Sequence, residues 1–241
     1  MTALPFTTEA AYRATLGVIV LQSDETLEAE LRRAMPTDIS LLHSRIPSEP
    51  DVTPETLAMM EKALPEAARL LPAAASPSVI AYACTSGATV IGRNNVAAAI
   101  HRHHPGIATT DPMTAVVAAL RALDAKRIGL LTPYVPAVSA RMQALLEEEG
   151  FEIAAFASYE QEEEAVVARI SETSTLNAVK AMPRVDAIFA SCTNLRTFGI
   201  IETAEAATDT PVISSNSALA WHMLRLADVR DASGPGRLFH L

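Results

Sequence analysis

The chain has 241 residues, 49% of them apolar and 20% charged, with 19 Lys and Arg against 28 Asp and Glu for a formal net charge of −9. Such a composition supports one large or two small buried cores and excludes a disordered or fibrous chain. An acidic chain without clustered Lys and Arg excludes nucleic acid as the expected partner, and no apolar run approaches the roughly 20 residues that span a bilayer.

In chain order, strands and helices alternate. Residues 16–21 read as a first strand, after which Ser23-Asp24 can cap a helix over 25–33. A second strand near Ile39 leads through a Pro- and Ser-containing loop, 46–51, into a helix over 54–70. The strand 79–83 ends on Cys84, and a helix rich in small residues is predicted over 87–100, ahead of the polar stretch His101-Arg102-His103-His104. Thr110-Asp111-Pro112 then caps a helix over 113–123, with Pro near its first turn. The pattern continues as strand 128–132, helix 138–149, strand 151–156, helix 161–179, strand 187–190, helix 195–207, a short strand 211–214 and a last helix 218–226. Right-handed crossovers throughout predict an α/β fold of two pseudo-symmetric Rossmann-like halves, each a mainly parallel sheet covered by helices. The expected division is 1–111 and 112–214, with 215–241 packing back on the first half because no strand follows the last helix.

The two halves look like copies. The run Val79-Ile80-Ala81-Tyr82-Ala83-Cys84-Thr85-Ser86 matches Asp186-Ala187-Ile188-Phe189-Ala190-Ser191-Cys192-Thr193-Asn194 in ending an apolar strand on Cys-Thr. Gly17 and Gly129 lie 112 residues apart, Cys84 and Cys192 108, Ile39 and Ile153 114. One apolar strand is easily matched by chance, but an ordered set at nearly one offset is not. Cys84 and Cys192 are the chain's two cysteines. A lone buried cysteine is commonly a packing residue; one thiol retained in each copy, at the strand ends where an α/β sheet presents ligand-binding side chains, points to a two-cysteine active site.

Three segments, Ala83-Cys84-Thr85-Ser86-Gly87, Leu131-Thr132-Pro133-Tyr134 and Ser191-Cys192-Thr193-Asn194-Leu195-Arg196, resemble the motifs of maleate cis-trans isomerases within the aspartate/glutamate racemase superfamily. The resemblance spans 17–226 and, inside that group, is nearest to the proteins called ectoine-utilisation protein A, linked to breakdown of the solute ectoine. It implies an active site in the cleft between the halves, no organic cofactor, no metal, a small carboxylate substrate and, by analogy, a homo-oligomer. It also implies Cys84 as nucleophile, Cys192 as acid/base and Tyr134 as a hydrogen-bonding partner of a substrate carboxylate or developing enolate.

Physical chemistry says why such residues suit the task. A cysteine at a helix amino terminus meets unpaired N–H groups and the positive end of the helix dipole, which favour thiolate. The hydroxyls of Thr85, Ser86 and Thr193 and the amide of Asn194 suit a carboxylate. Where the isomerases carry Ser-Asn after the first strand, this chain has Ser23-Asp24. An ionised Asp24 accepts hydrogen bonds and repels a dianion, so maleate itself fits poorly, and Asp24 is expected either to meet a cationic or N–H group of the substrate or to serve only as a helix cap.

Other features point to structure. Arg196 reads as a surface arginine, His101, His103 and His104 as a polar helix end without zinc spacing, and Trp221-His222 as packing. Glu147-Glu148-Glu149 and Glu162-Glu163-Glu164 read as solvated helix faces. No glycine-rich dinucleotide or phosphate loop is present, so the chemistry falls to side chains. A reducing, cytoplasmic setting suits two free thiols and an amino terminus without a secretory pattern. Two other functions stay open: a two-lobed small-ligand binding or sensor protein, since fold alone does not decide, and an arylmalonate-type decarboxylase, for which one thiol would suffice.

Overall fold

The computed structural model describes residues 3–9 and 12–241. The chain begins with β1 (Ala14–Leu21), α1 (Leu27–Ala34), β2 (Ile39–Ile46), α2 (Pro54–Arg69), β3 (Val79–Ala83), α3 (Thr85–Ile91), α4 (Arg93–His101), β4 (Ala108–Thr110) and α5 (Pro112–Ala122). The chain continues through β5 (Arg127–Tyr134), α6 (Pro136–Glu148), β6 (Glu152–Gln161), α7 (Glu164–Val167), α8 (Glu172–Lys180), β7 (Ala187–Ala190), α9 (Ile201–Thr208), β8 (Val212–Ser214) and α10 (Ser215–Leu226).

These strands form two sheets of the same internal order, β2-β1-β3-β4 and β6-β5-β7-β8, with every pairing parallel. Parallel strands covered by helices on both faces are buried on both sides, which is why β3 and β7 read as unbroken apolar runs. The recurrent glycines have a packing reason. A Cβ on Gly17 would lie 2.9 Å from Leu71 Cδ1, and one on Gly129 2.7 Å from Met182 Sδ, so each lets the covering layer approach its central strand. One apolar cluster runs from Leu16 and Tyr82 through Leu130 and Phe189 to Leu219. It joins the two halves through α10, which packs on α5, α1 and β3.

Helix starts follow their caps. Thr53 and Thr56 form a reciprocal capping box ahead of Pro54, and Asp111 Oδ1 accepts from Met113 N and Thr114 N at 2.9 and 3.0 Å. Four predicted elements differ from the structure, and one further strand forms that the sequence pattern does not predict. The helix expected over 87–100 breaks at Gly92, whose φ of 84° an L side chain rarely adopts. β4, at three residues too short to signal itself, completes the first sheet. The strand expected over 151–156 runs on to Gln161, and the single helix expected over 161–179 is instead α7 and α8 with a turn between. Residues 195–200 are turns, so the helix expected from Leu195 begins at Ile201.

Candidate active site

In an open parallel sheet the side chains available to a ligand lie beyond the carboxyl ends of strands flanking the switch in order. Here those strands are β1 and β3 in one sheet, β5 and β7 in the other. Asp24 follows β1, Cys84 follows β3, Tyr134 ends β5 and Cys192 lies just past β7. Cys84 and Cys192 are both free and buried.

Cys84 caps α3. Its Sγ accepts from Gly87 N at 3.2 Å and lies 3.6 Å from Ser86 Oγ. The Tyr82 hydroxyl lies against the same sulfur while donating to Met60 Sδ at 3.2 Å. A Cβ at Gly87 would fall 2.3 Å from the Tyr82 hydroxyl and 3.0 Å from the sulfur, so this turn needs glycine for space. Burial pushes the Cys84 thiol up to about 12, and the Glu164 carboxylate adds to it; the Ser86, Gly87 and Tyr82 contacts pull the other way. The helix-start stabilisation expected from sequence is therefore outweighed by desolvation of the buried sulfur.

Cys192 is held differently. Its φ of 112° is on the left-handed side of the map, a strain of roughly 1–3 kcal/mol for a residue other than glycine. Turns, not a helix, follow it, so the helix-dipole argument applies to Cys84 alone. The Cys192 N–H donates to Ser215 Oγ at 3.0 Å, and Thr85 Oγ1 donates to the same oxygen at 2.8 Å. Ser215, the first residue of α10, thus ties the two Cys-Thr segments together, a role no local signal in the sequence revealed. Cys192 Sγ accepts from Asn194 N at 3.3 Å, and the buried Tyr134 hydroxyl lies against it. Burial raises this thiol well above its ordinary value, with Glu164 and Asp24 adding to the effect.

The remaining residues divide between scaffold and cavity. Asn194 stitches the halves: its Oδ1 accepts from Glu25 N at 2.9 Å and its Nδ2 donates to Glu164 Oε2 at 3.0 Å, while its carbonyl accepts from Thr26 Oγ1. The Thr193 hydroxyl lies beside the Asp24 carboxylate and favours its ionised form. Asp24 does cap the first helix, Oδ1 accepting from Thr26 N and Leu27 N at 2.9 and 2.8 Å, but its Oδ2 is buried with no protein hydrogen-bond partner. Burial raises the Asp24 carboxyl above the usual range.

Glu164 is the main correction at the site. It was expected on a solvated helix face; instead it is buried, and its charge acts on Cys84, Cys192 and Tyr134 alike. Burial raises its carboxyl to about 7, with the Asp24 charge contributing and Asn194 opposing. The cause is a clasp across the cleft. Val52 N donates to Glu162 O at 3.0 Å and Glu164 N to Pro50 O at 3.1 Å, around an antiparallel bridge between Asp51 and Glu163. The clasp turns Glu164 inward. Outside it lies an open hollow of about 380 Å³ lined by residues that include Ser23, Ser48, Asp51 and Glu164.

Glu30 is a further buried acid without a local signal. Its carboxylate accepts from Thr197 N, Thr197 Oγ1, Phe198 N and Asn216 Nδ2 at 2.6 to 3.0 Å, holding the turns after Cys192 against α10. Outside the site, Arg196 is exposed, His104 Nε2 bonds to Ala68 O and His222 Nδ1 to Thr110 Oγ1. Among the described residues, no three His, Cys, Asp or Glu are grouped to hold a metal ion, and no helix is long and apolar enough to cross a membrane.

Known proteins resemble this chain in sequence and in fold. Residues 50–239 match the family model described as arylmalonate decarboxylase. The chain is 32% identical to a maleate isomerase of Nocardia farcinica, covering 92% of this chain and 94% of the relative. It is also 32% identical to an arylmalonate decarboxylase of Bordetella bronchiseptica, covering 96% and 98%. A solved cysteine-to-serine variant of the Nocardia farcinica maleate cis-trans isomerase, with a covalently bound succinylcysteine intermediate, superposes with a TM-score of 0.82 at 30% identity over 94% of this chain and 98% of that one.

Proposed function

Since the chain belongs to the arylmalonate decarboxylase family, we propose that it is a cofactor-independent isomerase or racemase of a small carboxylate in which Cys84 and Cys192 do the chemistry. The observation that carries this reading is the convergence of two buried thiols from the ends of opposite sheets: Ser215 Oγ joins the two Cys-Thr segments, Glu164 acts on both sulfurs, and each has its own buried tyrosine, Tyr82 on Cys84 and Tyr134 on Cys192.

In a cis-trans isomerisation, Cys84 loses its proton and its sulfur adds to one alkene carbon. The π pair moves to the neighbouring carbon as an enolate of the attached carboxylate, the new single bond rotates, and expulsion of the sulfur restores the alkene as trans. Cys192 supplies and recovers any proton placed on that carbon. The succinylcysteine in the Nocardia farcinica relative supports a covalent route of this kind. In a racemisation, one thiolate takes the proton α to a carboxylate and the other thiol returns one from the opposite face. In either case the Ser86 and Tyr134 hydroxyls would hold the carboxylate or enolate oxygens. Thr85, Thr193 and Asn194, already engaged with protein partners, act mainly by positioning. A cytoplasmic homo-oligomer, and a place in ectoine breakdown, complete the proposal at the level of resemblance.

Proton NMR in deuterated water tests it, using maleate, aspartate, glutamate and N-acetyl-diaminobutyrate beside a Cys84→Ser control. Deuterium at an α-carbon means two-base racemisation; conversion of maleate to fumarate means addition and rotation. Ligand-induced shifts without any turnover, unchanged in the control, would replace the enzyme by a binding protein. Arylmalonate decarboxylation is the second reading, favoured by the family model; release of CO2 from phenylmalonate that survives Cys84→Ser would establish it.

A further inference from the structure

We propose that Asp24 and Glu164 form an acidic wall of the two-cysteine cleft that receives an ammonium or N–H group of the substrate, so that the site selects an amino acid or acylated amino acid over a dicarboxylate dianion. This deepens the functional reading above and rests on it for the carboxylate and for the thiols.

Three observations meet here. Asp24 Oδ2 is a buried acceptor with no protein donor, and buried polar atoms are satisfied in the functional state of a protein with few exceptions. Its sister oxygen is used in capping, so the carboxylate is fixed, and it stands close enough to Cys192 for its charge to act on that sulfur. Glu164 brings a second carboxylate to the same place. It is buried, held by Asn194 Nδ2 at 3.0 Å, and within electrostatic reach of both sulfurs and of Asp24.

Among the described residues, no cation forms an ion pair with either of these two acids. The cation acting on Asp24 is Arg45, and its guanidinium is spent on Glu28 and on the carbonyls of Leu21 and Asp24. A ligand with two carboxylates would place at least one of them against this wall. A ligand with one carboxylate and one ammonium or amide N–H can put the first toward the Ser86 and Tyr134 hydroxyls and the second between Asp24 and Glu164, supplying the missing donor. Burial does most to keep both thiols protonated, and the acidic charge adds to it; a cation that neutralises that charge would assist formation of the thiolate that attacks it.

The test is equilibrium binding by calorimetry to pairs matched in length, 4-aminobutyrate against succinate and 5-aminopentanoate against glutarate, each pair exchanging one carboxylate for an ammonium, with maleate as the rigid dianion. Wild type is expected to bind the amine-bearing member at least about tenfold more tightly. Glu164→Gln and Asp24→Asn should each shift that ratio toward the dianion by about tenfold or more, because each removes a charge and keeps its accepting oxygen. Thermal melting of both variants checks that the fold survives, and either variant alone decides the matter. Equal or tighter binding of the dianion by wild type, an unmoved ratio in the variants, or binding of neither member of any pair overturns the proposal. Binding preference is read without turnover. A preserved preference with no isomerisation or α-proton exchange would remove the catalytic reading alone, whereas turnover with an unmoved preference would remove only the acidic wall.

Discussion

Glu164 makes the cleft sensitive to pH through stability as well as through binding. Its carboxyl is raised from 4.5 to about 7, chiefly by burial, with Asp24 the facing charge, Asn194 the opposing donor and the two thiols beside it. Between those values the unfolded chain ionises while the folded chain keeps its proton, so this group's contribution is full at low pH and is lost as pH rises through the window. Glu164→Gln, which never ionises, should therefore match wild type near pH 4 and exceed it above pH 7 by up to about 3 kcal/mol. Urea unfolding at pH 5 and pH 8 checks the sign and the size. Ser215 offers a second test at the same scale. Ser215→Ala strands the buried Cys192 N–H and the Thr85 hydroxyl, a loss of about 1–3 kcal/mol. The same denaturation experiment should show it, and mass spectrometry should find Cys192 alkylated faster by iodoacetamide as its strained backbone loosens.

At the element scale, the start of α3 depends on the absence of one side chain. Gly87→Ala would drive a methyl into the Tyr82 hydroxyl and against the Cys84 sulfur, so turnover should fall by at least about tenfold while the fold persists, since a ~1.36 kcal/mol disturbance of the barrier is enough for that. Adding Tyr82→Phe removes the atom at 2.3 Å and should recover part of the loss. Steady-state kinetics of the two single variants and the double variant measure the coupling; strictly additive losses would mean that the crowding does not reach the thiol. The segment after Cys192 shows the complementary case. Its composition suits a helix from Leu195, yet Glu30 takes the N–H groups of Thr197 and Phe198 from another element, which holds 195–200 as turns and sets the position of Cys192.

At the scale of the molecule, the clasp between 50–52 and 162–164 carries Glu164 to the buried thiols, and substrate is expected to enter where it parts. Asp51 and Glu163 face one another in an antiparallel bridge, where Cα atoms lie about 4.5–5.5 Å apart and a disulfide can form. Oxidised Asp51→Cys/Glu163→Cys should lose at least about tenfold in turnover and recover on reduction; unchanged turnover, with the single Asp51→Cys as control, would mean that substrate enters elsewhere. The alternation of strands and helices, the duplication and the pair Cys84 and Cys192 were all legible in the sequence. They rest on local periodicity and on residue types whose spacing along one strand and its following turn is set by covalent geometry. Asp24 was legible as an acid at a helix start, but not that one oxygen caps while the other is left buried without a protein partner. Glu164, Ser215, Tyr82 and Glu30 were not legible. Their roles come from contacts between segments 22 to 186 residues apart, as in Tyr82 with Met60 and Asn216 with Glu30, and a clasp that turns one glutamate of an acidic run inward leaves no periodic mark. Sequence by itself determined two parallel sheets and one thiol at the end of each, because strand pairing and chain direction follow from local pattern. Tertiary structure decided the thiols' protonation and the charge they face, because burial and the approach of distant carboxylates exist only once the two halves have closed on each other.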